Sequence, residues 1–276
     1  MADTVRAGPG DAVDLARVIV VPGAFNLRDL GGFAASDGRR VRWRHVFRSG
    51  SLGYLSDTAG EAIARLGIRV ICDLRRADER RREPTRWPVP DVTHLSWDDP
   101  LDAGIMEQVR DAGSAADVRA IMVEMYRHLP QRLASRLRPL FAKMVAGDLP
   151  LMFHCSAGKD RTGTAAALLL SVLGVPRTAI LADYLMTNDV VDFETVLSER
   201  RGADIGLGAR PASLFRMAAD RRRALFAADP DYLAAMFSAI DERYGTVERY
   251  FADALGIDAA QRGVLADRLL EPQVDR

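Results

Sequence analysis

The stretch LMFHCSAGKDRTGTAAALLL, residues 151–170, constrains this chain more than any other. An apolar run ends in His154-Cys155, a short polar loop follows, and a run of small and apolar residues begins. Leu149–His154 reads as a buried strand. Thr162–Leu173 reads as a helix, apolar nearly all round and therefore buried, with Gly174 as its stop. Such a unit needs a sheet beneath it. Ile68–Leu74 supplies a second buried-strand pattern, Val92–Trp97 a third, and Val41–Phe47 reads as an edge strand with alternating arginines. Helices are expected over Leu55–Leu66 with Ser56 as cap, Val118–His128, Gln131–Val145 with Pro130 opening it, Arg177–Thr187 and Val190–Arg200. Leu133, Leu137, Phe141 and Met144 share one face of the Gln131–Val145 helix. The expected fold class is α/β: a central, mostly parallel sheet flanked by helices, with a helical C-terminal part or lid. Residues 1–17 read as a flexible tail and 18–276 as a single domain, with lid elements expected in 98–130 and 201–230.

The loop is chemically specific. Between Cys155 and Thr162 the backbone turns from a strand end into a helix start, so its N–H groups converge on one point. The helix N-terminus adds partial positive charge there. That makes an anion site of phosphate or sulfate size. Cys155 lies at its base, where a thiolate nucleophile is favoured. Arg161, six positions later, closes the ring with a planar fork that matches two phosphate oxygens. One element thus offers a nucleophile, oxyanion donors from Ser156, Ala157, Gly158, Lys159, Asp160 and Arg161, and a clamp. A purely structural cysteine leaves His154, Gly158, Arg161, Thr162 and Gly163 unexplained. A Walker A loop is excluded, because Gly158-Lys159 is followed by Asp160 and not by Ser or Thr. Two other classes stand as alternatives: a non-catalytic phosphate-binding module, and a thiol redox or sulfur-transfer protein. Intact Cys155 and Arg161 weigh against the first. The second does not require Arg161, and no partner cysteine is close in sequence.

HCSAGKDRTG, with its Cys-x5-Arg spacing, resembles the signature of the protein tyrosine phosphatase superfamily. FNLRDLGG (25–32), FRSGSL (47–52), ICDLR (71–75) and ADYLMTND (182–189) accompany it. In that order they resemble the bacterial atypical tyrosine phosphatases. The resemblance implies a metal-independent, cofactor-free phosphomonoester hydrolase acting on phosphotyrosine, with phosphoserine, phosphothreonine and phosphoinositides in range. It implies that Cys155 attacks phosphorus to give a phosphocysteine, which water hydrolyses. Arg161 binds the phosphate, His154 holds the loop, and Thr162 stabilises the departing thiolate. Asp160 is the first candidate for general acid; Asp98 and Asp99, after the Val92–Trp97 strand, are the alternatives. Lys159 is similar to a lysine of the superfamily's lipid phosphatases and extends the positive field towards a second substrate phosphate.

Composition narrows the partners. Lys and Arg number 38 and Asp and Glu 38, so net charge is zero, which speaks against nucleic acid. Arginine clusters at Arg80–Arg82 and Arg221–Arg223 read as solvated faces able to touch an anionic membrane surface peripherally. The implied partner is a phosphorylated protein or a phosphoinositide. His45, His94 and His128 have no ligand spacing, so no metal is expected. Two cysteines are too few for a disulfide framework, and Cys72 reads as buried. No apolar run suits a bilayer span, and no signal-peptide order opens the chain. A cytoplasmic location is the default expectation, with secretion independent of a signal peptide left open.

Overall fold

The computed structural model describes residues 15–98, 104–199, 214 and 216–272. Asp99, residues 1–14 of the expected tail and parts of both expected lid ranges lie outside the described residues. Among the described residues seven strands follow in chain order: β1 (Arg28–Asp29), β2 (Arg39–Val41), β3 (Val46–Ser49), β4 (Val70–Asp73), β5 (Thr93–Ser96), β6 (Leu151–His154) and β7 (Leu270–Pro272). Five form one sheet in the order β1-β3-β6-β4-β5, parallel throughout except where β1 runs against β3. β2 and β7 pair as a separate antiparallel ribbon. The α/β class read from the sequence is the one observed, with a helical C-terminal part.

β6 occupies the centre because it is apolar on both faces. Leu151 and Phe153 join Val70 and Cys72 in one core, while Met152 joins Phe47 and Ile71 in the other. The two-residue period of a strand sends neighbours to opposite faces, and a parallel strand covered on both sides must be apolar throughout. Val118, Leu137, Leu168, Met236 and Phe251, each from a different helix, close the first core. Leu52, Ile63 and Leu66 close the second.

Three parallel strands end in register. His154 of β6 pairs with Ser49 of β3 on one side and Asp73 of β4 on the other. The chain leaves β6 at Cys155, so the loop after it sits over the carboxyl edge of the sheet. Open α/β sheets place their ligand chemistry at that edge.

The structure corrects the sequence reading in several places. The Val41–Phe47 edge strand is two strands, separated at Arg44, whose φ of 61° is left-handed. Asp29 Oδ2 fixes that turn by accepting the Arg44 amide at 2.8 Å. β3 is then an interior strand. Pro130 does not open a helix: Ala115–Arg132 runs through it, and the next helix, Ala134–Ala146, starts beyond. A proline in a last turn forfeits one bond only, and its carbonyl accepts the Tyr250 hydroxyl at 2.6 Å. Within the expected lid range 98–130 lies a helix not read from the sequence, Ile105–Asp111, anchored by buried Met106 and Val109. The Leu55–Leu66 helix shrinks to a 3-10 turn at Asp57–Ala59 and a helix at Gly60–Ala64, without a side-chain cap from Ser56. The helix after the loop starts at Asp160, two residues earlier than expected, and runs to Val172. Its first turn therefore carries Asp160 and Arg161.

Candidate active site

Cys155 leaves the end of β6 and is 1% exposed. Between it and the Asp160–Val172 helix lie only Ser156, Ala157, Gly158 and Lys159. Their carbonyls are held from outside the loop. Ser51 donates its amide to Ser156 O at 2.9 Å. Asn26 donates Nδ2 to Ala157 O at 3.2 Å and to Gly158 O at 3.0 Å. Arg48 donates Nη2 to Gly158 O at 2.8 Å. The amides of Ser156, Ala157, Gly158, Lys159 and Asp160 make no hydrogen bond to a protein acceptor among the described residues. A curl with bound carbonyls and unbound amides at a helix N-terminus has the electrostatics of an anion site.

Gly158 makes the curl possible. Its φ is +69°, and a Cβ there would lie 2.7 Å from Gly50 N and 2.8 Å from Ser49 O. Asn26, at φ 55°, uses the left-handed tolerance of asparagine to aim its amide at the loop.

Arg161 sits in the first helical turn and pairs end to end with Glu79 of the short helix Ala77–Arg82. Nη1 lies 2.7 Å from Oε2 and Nη2 lies 2.9 Å from Oε1. Burial opposes the charge on Arg161, but Glu79 and Cys155 outweigh it and raise its pKa further. Burial opposes ionisation of Glu79 too, yet the Arg161 guanidinium holds its carboxyl below the usual range. Glu79 also accepts the Ser156 hydroxyl at 2.8 Å and the Arg76 amide at 2.6 Å.

The other expected residues fall as follows. His154 is fully buried, and burial lowers its pKa to about 4, so it is neutral at pH 7. Its Nδ1 lies 3.3 Å from Cys155 O and its Nε2 3.6 Å from Asp73. Burial works against ionisation of Asp73, but His154 and the Arg75 guanidinium hold its carboxyl well below the carboxylate range. The Thr162 hydroxyl donates to Ser49 O at 3.5 Å. Asp160 accepts the Tyr126 hydroxyl at 2.8 Å. Lys159 turns inward: it is 1% exposed, and its ammonium donates to Leu225 O at 2.6 Å and Ala227 O at 3.2 Å. Asp98 is 88% exposed and paired with Arg80, just past the edge strand β5. Cys72 and Cys155 are both free thiols, and burial pushes the Cys72 thiol up.

Behind the loop, Arg28 and Arg48 share Asp183. Burial, with Arg48 alongside, lowers the Arg28 pKa to about 9. The sequence reading of the loop took in Cys155, Asp160 and Arg161. It missed Glu79, hidden in the run RRADERRREPTR, and Tyr126, hidden in a helix pattern. The one available signal for Glu79 was an acid among arginines three residues into a helix.

A family model described as the tyrosine phosphatase family matches residues 19–271. A Cupriavidus necator protein assigned by name to the tyrosine-protein phosphatases is 36% identical over 243 residues, covering 86% of this chain and 83% of that one. The triple specificity protein phosphatase PtpB of Mycobacterium tuberculosis is 32% identical over 274 residues, covering 89% and 98%. A tyrosine-protein phosphatase of Nostoc commune is 29% identical over 232 residues, covering 80% and 73%. With the match spanning nearly all of the described sheet and the loop at its carboxyl edge, the chain belongs to the tyrosine phosphatase family.

Proposed function

We propose that this chain hydrolyses phosphotyrosine through a phosphocysteine on Cys155, with Arg161 as clamp and Asp160 as general acid. The observation that carries the reading is the placement of Cys155 at a strand end, beneath unbound amides, with Arg161 in the next helical turn. In the first step the Cys155 thiolate forms an S–P bond, the P–O bond to the phenol breaks, and the phenolate takes the proton of the Asp160 carboxylic acid. In the second, water attacks phosphorus, the S–P bond breaks, and Asp160 takes the water proton. The products are the phenol and hydrogen phosphate, and thiolate and acid are restored. Loop amides and Arg161 stabilise the three equatorial oxygens throughout.

The range of substrates extends to phosphoserine, phosphothreonine and phosphoinositides. The triple specificity in the name of the Mycobacterium tuberculosis relative supports that extension. The test is hydrolysis of an aryl phosphate in the presence of chelator by wild type and Cys155→Ser. The variant is expected to lose turnover and keep phosphate affinity. Turnover surviving in Cys155→Ser would overturn the mechanism.

A further inference from the structure

The two carboxylate oxygens of Asp160 are used unequally. Tyr126, from the Ala115–Arg132 helix, donates its hydroxyl to Oδ1 at 2.8 Å. Lys159 Nζ lies 3.2 Å from the same oxygen. The Tyr184 hydroxyl, from the Arg177–Leu185 helix, lies 2.7 Å from the Tyr126 hydroxyl. Tyr126 has one proton and gives it to Asp160, so Tyr184 is the donor behind it. Both phenols are buried. Burial and the Asp160 charge push both of their pKa values up, so both stay protonated as donors. Their rings meet edge to face at 6.1 Å, and Tyr232 lies against Tyr126 at 5.5 Å. Oδ2 of Asp160 has no protein partner among the described residues. The groups facing Asp160 are therefore Lys159 and Arg161 from its own loop and helix, and Tyr126, Tyr184 and Tyr232 from three others.

We propose that Tyr126, backed by Tyr184, is the positioning residue of the general acid: it holds Asp160 by Oδ1 and leaves Oδ2 to carry the transferable proton. The inference rests on Asp160 acting as that acid. A carboxyl that turns freely presents either oxygen, and proton transfer needs one O–H aimed at the leaving oxygen. A phenol donor on Oδ1 suits both states of the cycle. In the carboxylate Oδ1 is an anionic acceptor, and in the acid, with the proton on Oδ2, it is a carbonyl acceptor. The hydroxyl chain keeps its direction while Asp160 gains and loses its proton.

Tyr126→Phe keeps the ring and deletes the donor. The measurement is kcat/KM, which reports the phosphorylation step, across aryl phosphates of graded leaving-group basicity. Phenyl phosphate, which needs a proton, is expected to lose about 10-fold, and dinitrophenyl phosphate less than about 2-fold. The alkaline limb of kcat/KM is expected to move to higher pH, because the carboxylate loses a donor. Equal losses along the series with an unmoved limb would overturn the proposal, since a merely structural role acts that way. Asp160→Asn is measured beside it. A wild-type slope in Asp160→Asn removes the acid and the proposal with it. A steep slope there with a wild-type slope in Tyr126→Phe overturns the proposal alone. Tyr184→Phe, expected to shift the slope in the same direction by less, decides the matter should Tyr126→Phe not fold.

Discussion

Arg161 and Glu79 face each other fork to fork, at 2.7 and 2.9 Å, with Glu79 1% exposed. The pair fixes the plane of the guanidinium, and hence where its remaining N–H edges point. Removing one partner of a buried pair leaves an uncompensated charge, worth about 3–5 kcal/mol. Glu79→Gln is therefore expected to lose stability on that scale. Because the clamp is no longer aimed, kcat/KM is expected to fall about 100-fold. Inorganic phosphate supplies the missing negative charge, so it should raise the thermal midpoint of the variant more than that of wild type. Thermal unfolding with and without phosphate checks this; equal phosphate effects on both proteins would refute it.

Gly158 is the tightest point of the loop, with backbone of Ser49 and Gly50 within 2.8 Å of any Cβ and φ at +69°. Left-handed strain costs about 1–3 kcal/mol, and the clash adds to it because neither neighbour is a flexible side chain. Gly158→Ala is expected to push the loop off Asn26 and Arg48 and to lower kcat/KM by about 100-fold or more. A variant with wild-type kinetics would show that the curl is not needed for turnover.

The strands β4, β5 and β6, the buried helix after the loop and the Cys155-to-Arg161 loop were legible because each is local. Alternation, helix stops and the anion-binding turn are written in neighbouring residues. What escaped depends on long-range approach. Glu79 reaches Arg161 across 82 positions and Tyr126 reaches Asp160 across 34. Read locally, Glu79 belongs to a solvated charged run and Tyr126 to a helix stripe. ADYLMTND shows the same limit: Asp183 takes Arg28 and Arg48, Tyr184 takes Tyr126, and Asn188 brackets Ala228 through its N and O. The motif and its residues were visible, but the partner of each was not. The break at Arg44 escaped because Asp29, fifteen residues away, fixes it.

His154 makes stability depend on pH in a defined direction. Its pKa is 6.5 in an open chain and about 4 in the fold. Between those values the unfolded chain binds the proton and the fold does not, so stability rises with pH across the window and is lost as pH falls through it. By linkage the loss approaches about 3 kcal/mol at the acid end. Urea midpoints measured from neutral pH down to the lower value should fall accordingly, and the fall should be smaller in His154→Gln. An equal slope in both proteins would assign the acid sensitivity to other groups.

Lys159 is the residue whose surroundings differ most from expectation. Its ammonium is buried and gives its hydrogen bonds to Leu225 O and Ala227 O, near the end of the helix Ala219–Phe226. Those carbonyls lie at the negative end of a helix, where a cation is favoured. Asn188 holds the adjoining Ala228 at 2.7 and 2.8 Å, so two side chains pin one segment to the core. Lys159→Met keeps much of the apolar stem and removes the donors. Burying a carbonyl without its partner costs about 1–3 kcal/mol. The variant is therefore expected to exchange amide hydrogens faster over 225–228 and to be cut sooner by trypsin after Arg221, Arg222 or Arg223. If exchange and cleavage match wild type while only the KM for a doubly phosphorylated substrate rises, Lys159 serves the second phosphate and not the segment.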